Sequence, residues 1–555
     1  MKSPVALHLV DVLRDFGVNA VFGVPGGAIS PFFDALLERP DVRIVTTKHE
    51  ANAAFLAIGY AMATGRPGVV VTTAGPGITN ALTGIASAYY EGVPVVHIAG
   101  EVARSAFGRG ALQEGSPAGL DAVSMMRRVT KMSVLLSHPG PAASVLHKAL
   151  NTAFSGRRGP VFVTLPLDVA TERMAPQPLA GLERTAYEID EDSTRRALEL
   201  LERASRPLIL AGSGTRDMAS RRALRRLAEH VGSPVCVTTK GKGVFPEDHP
   251  LYLGVTGFGG HDSVGQYLEA GVDVLLVIGS GLNDFSTNAW SPLLRASRAF
   301  LQIDIDDAQL GKNYAIDLGL VGPADRVITH MLEHREESRV PTVTAAHPSL
   351  ALQPIRPSKL GKLTTMDVVM TMNEVCPKDA VFTADMGEHL GVVLHYLRVR
   401  EHGDFLTCLG FGSMGSGINS AIGYQLGAPH RRTFAVCGDG GFLMNGSELA
   451  TAVQHHAATT FVVINDSRLN MVHHGHMGLF GRTPNFSTPL VDFAALARAM
   501  GAEGHVIETR EELAAALDVR REGPVVLDVR IDPDVRLMGN QRVAALKQFK
   551  AGDDQ

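Results

Sequence analysis

The sequence predicts an α/β protein of three doubly wound parallel-sheet domains. Two observations carry this. Short apolar runs recur along the chain, separated by stretches of helix length, and many of them end in a glycine-rich turn. The runs are apolar throughout rather than alternating, as strands buried on both faces are. The 555 residues are 45% hydrophobic and 20% charged, enough for about three globular domains.

Composition also excludes classes of function. A net charge of −5 is too mild to point to nucleic acid. No run approaches the roughly 20 apolar residues of a membrane helix. The opening MKSPVALHLVDVLRDFG reads as an amphipathic helix carrying Asp11, Arg14 and Asp15, not as a signal peptide. Cys236, Cys376, Cys408 and Cys437 lack CxxC spacing. They read as buried thiols in a reducing compartment, so a cytoplasmic protein is expected. Arg221, Arg222, Arg225 and Arg226 fall at helical spacing and read as a solvated helix face.

Residues 1–175 form the first predicted domain. Its strands include Val69-Val70-Val71-Thr72-Thr73, Val93-Pro94-Val95-Val96-His97-Ile98 and Val161-Phe162-Val163-Thr164-Leu165. Gly23-Val24-Pro25-Gly26-Gly27 and Gly75-Pro76-Gly77 are tight turns at strand ends. Glu50 opens a small-residue helix, where a carboxylate is most simply a first-turn charge. Residues 190–335 form a second domain with strands at 207–211, 274–278 and 299–306. The stretch 336–362, with four prolines and little periodicity, reads as a linker. Residues 363–535 form the third domain, and 536–555 a tail whose last residues are expected to be disordered.

The third domain carries the most informative stretch, residues 437–471. An apolar strand ends in Gly438-Asp439-Gly440-Gly441, a helix follows, and a second strand ends in Asn465-Asp466. The turn places Asp439 and glycines at a helix start, where free N–H groups favour a phosphate. Asp466 returns to the same sheet edge. Two carboxylates with a nearby carbonyl suit Mg²⁺, which can bridge to a diphosphate. The bland alternative is an ordinary βαβ unit with a tight turn.

The GDG followed by Asp466 resembles the thiamine diphosphate (ThDP) signature. The order GVPG, HEANAAF, TTAGPG, EGVPVV resembles the pyrimidine-binding domain of acetolactate synthase-like ThDP enzymes. The resemblance covers nearly the whole chain. It implies a pyrimidine-binding, a central and a diphosphate-binding domain. Glu50 would then hydrogen-bond the aminopyrimidine ring and promote its imino tautomer, acting as a base through the cofactor. Such a Glu works best in an apolar pocket. Met414, in Gly412-Ser413-Met414-Gly415, would hold the bent cofactor. Pro25, Gly26, Gly75, Gly387, Glu388, His389, Ser413, Gly438, Gly440, Gly441 and Met471 would line the cofactor. Asp439, Asp466 and the Arg468 backbone carbonyl would hold Mg²⁺. Gln113 would be the active-site glutamine, although its spacing to Val129-Thr130-Lys131 is longer than usual in the family.

The resemblance implies a homodimer or homotetramer, because Glu50 and Asp439 lie in domains that meet across subunits in the family. FAD-binding relatives carry an Arg-rich run where this chain has Gly281-Leu282-Asn283-Asp284-Phe285-Ser286, which argues against FAD. Asp466 and Gly475 depart from the anabolic pattern, and the former matches the FAD-independent catabolic synthases. Leu167 stands where the family has a Lys. His473, His474 and His476 surround Gly475; they would line the active site, cover it as a lid, or bind a metal. The reading is a ThDP- and Mg²⁺-dependent carboligase acting on pyruvate or a similar 2-keto acid and a carbonyl acceptor. The alternatives are a 2-keto acid decarboxylase or other ThDP lyase or acyltransferase, a catalytically inactive regulatory subunit, and a flavin-dependent oxidase.

Overall fold

The computed structural model describes residues 2–176, 187–335 and 347–537. The expectations for 336–346 of the linker and for 538–555 of the tail lie outside them. Three six-stranded sheets follow one another along the chain, each with all its strands parallel. This is the predicted α/β class. The strands are Val-, Ile- and Leu-rich, and runs such as Val274–Ile278 and Val161–Pro166 are buried along their whole length. Helices cover both faces, so no polar side is needed.

In spatial order the first sheet runs Arg43–Thr46, Ala20–Gly23, Gly68–Thr72, Val95–Glu101, Val161–Pro166, Met132–Leu135. The third runs Asp404–Leu406, Val381–Ala384, Thr433–Gly438, Thr459–Asn465, Val525–Arg530, Glu503–Ile507. Numbered within its own domain, each has the order 2-1-3-4-6-5. The central sheet, Tyr252–Val255 to Leu318–Val321, has the order 3-2-1-4-5-6. In each sheet the winding reverses beside its first strand, and a crevice opens there at the carboxyl ends. The glycine-rich turns fall at these reversals: Gly26 and Gly75, Gly212 and Gly279, and Gly387 and Gly438.

The helices Glu50–Thr64 and Ser416–Gly427 each link the second and third strands of their domain, and they pack on one another. Contact is through backbone. A Cβ on Gly59 would lie 1.9 Å from the Ser420 carbonyl oxygen, and one on Gly423 1.9 Å from that of Leu56. Phe55, Tyr60, Ile418 and Ile422 extend the joint core that results. One carboxylate ties the central domain to both. Glu91 Oε2 pairs with Lys240 Nζ at 2.8 Å, while Oε1 accepts from Gly410 N at 2.5 Å.

Two expectations change. Arg222 and Arg226 are exposed, but Arg221 is largely buried and pairs with Asp404 of the third domain at 2.5 Å. Helical spacing marks a face; it does not say that a second domain covers part of it. The helix expected after Asp439 is two helices, Asp439–Asn445 and Leu449–Gln454, joined by a turn at Gly446–Glu448. The break lets the buried Glu448 reach the first domain. Within the stretch expected to be a linker, Gln353 N–H donates to His395 Nε2 at 2.9 Å. All four cysteines are buried. Among the described residues no helix is long and apolar enough to cross a membrane.

Candidate active site

The third sheet's carboxyl edge gathers most of the predicted residues. Asp439 opens its helix directly after the strand Thr433–Gly438. Its carboxylate accepts from Gly440 N at 2.7 Å and from Thr488 Oγ1 at 3.4 Å. Asp466 follows the neighbouring strand Thr459–Asn465 and accepts from Asn470 Nδ2 at 2.5 Å and Arg468 N at 3.2 Å. Burial raises the Asp439 carboxyl. Burial, and then the negative charge of Asp439, push Asp466 up to about 7. Two desolvated carboxylates that repel each other suit a hard divalent cation, which would replace the proton. Ser467, directly after Asp466, has a left-handed backbone, φ 54°. It turns the loop so that Leu469 N donates to Phe486 O and Thr488 N to Ser467 O, and neither bond uses the Arg468 carbonyl.

The loop carrying Ser413 and Met414 is fixed by a residue that the motif reading passed over as a site. Asp385, fully buried, accepts from Gly415 N at 2.7 Å and Gly417 N at 3.0 Å, and burial pushes its carboxyl up to about 6. Its signal was its place directly after an apolar strand and two residues before Gly387. Met414 is half-buried, its methyl within 3.3 Å of the point where a Cβ on Gly440 would lie, and its carbonyl accepts from Asn445 Nδ2. A Cβ on Gly441 would lie 2.3 Å from Asp385 Oδ2, so a larger residue there would push on the carboxylate that holds this loop. Ser413 Oγ lies 3.2 Å from Ser87 Oγ of the first domain.

His389 sits under the GDG turn, 3.4 Å from the position of a Cβ on Gly438. It is buried, its Nε2 has no hydrogen-bond partner among the described residues, and burial pushes it down to about 4. An orphaned neutral imidazole beside a glycine turn fits a ligand that accepts or donates one more bond. Met471 lies half-buried on the helix Asn470–Phe480. On the same helix His474 is buried, its Nδ1 3.8 Å from Glu388 Oε1, and His473 packs edge-on against it. His476 instead packs on Phe480 and Phe486. Among the described residues no group of three or more His, Cys, Asp or Glu is placed to hold a metal, so the three histidines do not form one.

The first sheet's carboxyl edge holds the other set. Glu50 is buried at the start of its helix and accepts from Asn80 Nδ2 at 3.0 Å. Thr73 Oγ1 donates to Gln113 Oε1 at 3.3 Å, and a Cβ on Gly75 would meet Gln113 Cα at 3.0 Å. The long spacing around Gln113 is absorbed by a loop in which Gln113 itself is left-handed, φ 63°. Gly26 packs on Thr73, with Pro25 exposed beside it. Glu101, fully buried, accepts from Gly115 N at 3.0 Å and so anchors this loop. Sequence reasoning missed it, since a lone carboxylate at a strand end carries no motif.

Paired glycine turns at two like crevices, one with two carboxylates and one with a buried Glu, define a thiamine diphosphate-binding enzyme. The family descriptions agree: thiamine pyrophosphate enzyme N-terminal TPP binding domain over residues 4–125, central domain over 194–331, and C-terminal TPP binding domain over 385–529. Among similar proteins are the "Probable acetolactate synthase large subunit" of Methanocaldococcus jannaschii, 32% identical over 96% of this chain and 92% of its own; the acetolactate synthase of Arthrospira platensis, 31% identical over 95% and 94%; and the acetolactate synthase large subunit of Parasynechococcus marenigrum, 32% identical over 95% and 87%. The chain belongs to the acetolactate synthase-like family of ThDP enzymes.

Proposed function

We propose that the chain is a ThDP- and Mg²⁺-dependent carboligase that decarboxylates pyruvate or a similar 2-keto acid and joins the remaining unit to a carbonyl acceptor. Acetolactate synthesis is the default case. The observation that carries this is the third domain's crevice, where Asp439, Asp466 and the orphaned His389 surround one glycine turn. Asp439, Asp466 and the Arg468 carbonyl would hold Mg²⁺ beside the cofactor's diphosphate. ThDP, when bound, supplies the electron sink that loss of CO₂ requires. Glu50 would hold a proton toward the cofactor's aminopyrimidine ring, Met414 would support the cofactor, and Gln113 would face the substrate side. Domain limits at 175, 190, 335, 363 and 535 follow from this reading. So does a homodimer or homotetramer in which a second copy completes each site, with no stoichiometric FAD.

The acceptor site is roomy. A Cβ on Gly475 would meet nothing within 4 Å. Leu167 adds no charge to pair with a substrate carboxylate. Acceptors bulkier than pyruvate are therefore expected. The test is product analysis by NMR, with CO₂ release, after incubation with ThDP, Mg²⁺, pyruvate and a panel of aldehydes and keto acids. A carboligated product supports the reading. CO₂ release with only the free aldehyde as product would make the chain a decarboxylase, and no turnover of any 2-keto acid would overturn both.

A further inference from the structure

We infer that His474 and Glu388 form an acid–base dyad in which His474 protonates the acceptor's carbonyl oxygen and Glu388 positions it. The inference rests on the carboligase reading above. Glu388 opens the helix Glu388–Tyr396, shortly after the strand Val381–Ala384, and His474 lies on the helix Asn470–Phe480, after Thr459–Asn465. These strands flank Thr433–Gly438, the strand that Asp439 directly follows. The two side chains thus meet across the GDG turn.

His474 is buried, and its Nδ1 has no hydrogen-bond partner among the described residues. The nearest carboxylate is Glu388, at 3.8 Å. A buried imidazole facing a carboxylate across a gap slightly too long for a hydrogen bond is the arrangement of a base and its orienting group before substrate tightens it. His473 closes one side, at 5.4 Å between ring centroids. Opposite Gly475 the space is open.

The chemistry balances. The carbon that has lost CO₂ supplies the electron pair of the new C–C bond. The acceptor's C=O electron pair moves to its oxygen, which takes the proton from His474 and becomes a hydroxyl. When the product leaves, the donor carbon becomes a ketone. Its hydroxyl proton returns to the now neutral His474, and the electron pair of the broken bond stays with the cofactor. Glu388 stabilises the imidazolium at both ends of the cycle.

The test compares wild type, His474→Gln and Glu388→Gln, each loaded with ThDP and Mg²⁺. Calorimetry on the cofactor-free proteins measures ThDP affinity. A single-turnover experiment with pyruvate measures CO₂ and carboligated product separately, and steady-state kinetics give kcat and KM. His474→Gln should bind ThDP within about twofold of wild type, release its first CO₂ at a near-normal rate, and form product about 10²-fold more slowly. Glu388→Gln should lower kcat about tenfold with the KM for pyruvate unchanged. An unchanged ratio of product to CO₂ in His474→Gln would overturn the dyad. So would loss of ThDP binding in Glu388→Gln, which would return Glu388 to the cofactor's shell. Wild type that binds no ThDP would overturn the carboligase reading itself, and the dyad with it.

Discussion

Glu448 of the third domain holds the main chain directly before Glu50 of the first. Its Oε1 accepts from Lys48 N at 2.8 Å and His49 N at 3.0 Å, and from Asn52 Nδ2 at 3.3 Å. Thr451 Oγ1 fills Oε2 at 2.5 Å. Glu448 is fully buried, so its removal strands several donors away from water. Each such donor costs about 1–3 kcal/mol. Glu448→Ala should therefore lower the melting midpoint markedly at fixed scan rate and slow turnover by displacing Glu50. Glu448→Gln keeps an acceptor oxygen and should recover most of the loss. Equal melting curves for wild type and the Ala variant would show that these bonds matter little.

Replacing Glu50 with Gln tests the proton role. Its carboxylate accepts from Asn80 Nδ2 inside its own domain, a bond an amide oxygen can keep. The variant should fold and bind ThDP, yet lose on the order of 10²–10⁴ in kcat. Turnover near wild type would remove Glu50 from the chemistry.

Asp304, at the tip of the strand Ala299–Asp304 in the central domain, gives the fold a pH dependence. It is buried, and burial pushes its carboxyl from 3.8 up to about 6. The folded protein then binds more protons than the unfolded chain between these values. Stability contributed by this group is full below about 4 and declines as pH rises towards 6. Asp304→Asn retains an oxygen for Asp306 N, now 3.0 Å from Oδ1. It should flatten the fall in melting midpoint over that window and leave a more stable protein at pH 7. Asp385 shifts the same way, so the slope shrinks without vanishing. A variant whose pH profile parallels wild type would count against the assignment.

Gly475→Trp tests the proposal that the acceptor site is roomy. With nothing within 4 Å of the new Cβ, the substitution should change the melting midpoint little. Rates with pyruvate as acceptor should persist, while those with larger aldehydes or ketones should fall at least tenfold. If wild type makes only acetolactate and the Trp variant shows the same acceptor profile, the inference from Gly475 fails.

Much of the fold is legible in the residues, because buried parallel strands write themselves as continuous apolar runs. Val274–Ile278 is such a run, and so is Phe461-Val462-Val463-Ile464 within Thr459–Asn465. The GDG turn is legible because an acidic residue between glycines directly after an apolar strand is a local pattern, and beside it a Cβ on Gly441 would lie 2.3 Å from Asp385 Oδ2. What stays hidden depends on distant partners. Arg221 reads like its three neighbours until Asp404 arrives from the third domain. Glu448 sits in an ordinary-looking helical stretch, and only the turn at Gly446–Glu448 frees it to reach Lys48 and His49. Asp385 and Glu101 hold loops by accepting from backbone N–H groups, and no side-chain pattern announces such bonds.

The contact between the helices Glu50–Thr64 and Ser416–Gly427 is reciprocal. Gly59 touches the residue three places before Gly423, and Gly423 touches the residue three places before Gly59. The two helices fill the same slot in sheets of the same strand order. Each chain therefore contains a local pseudo-dyad, an isologous contact made with itself as two-fold dimers make it between copies. A side chain added at either glycine opens the same seam from opposite sides. Because Glu50 starts one of these helices and Met414 lies just before the other, both crevices would shift together.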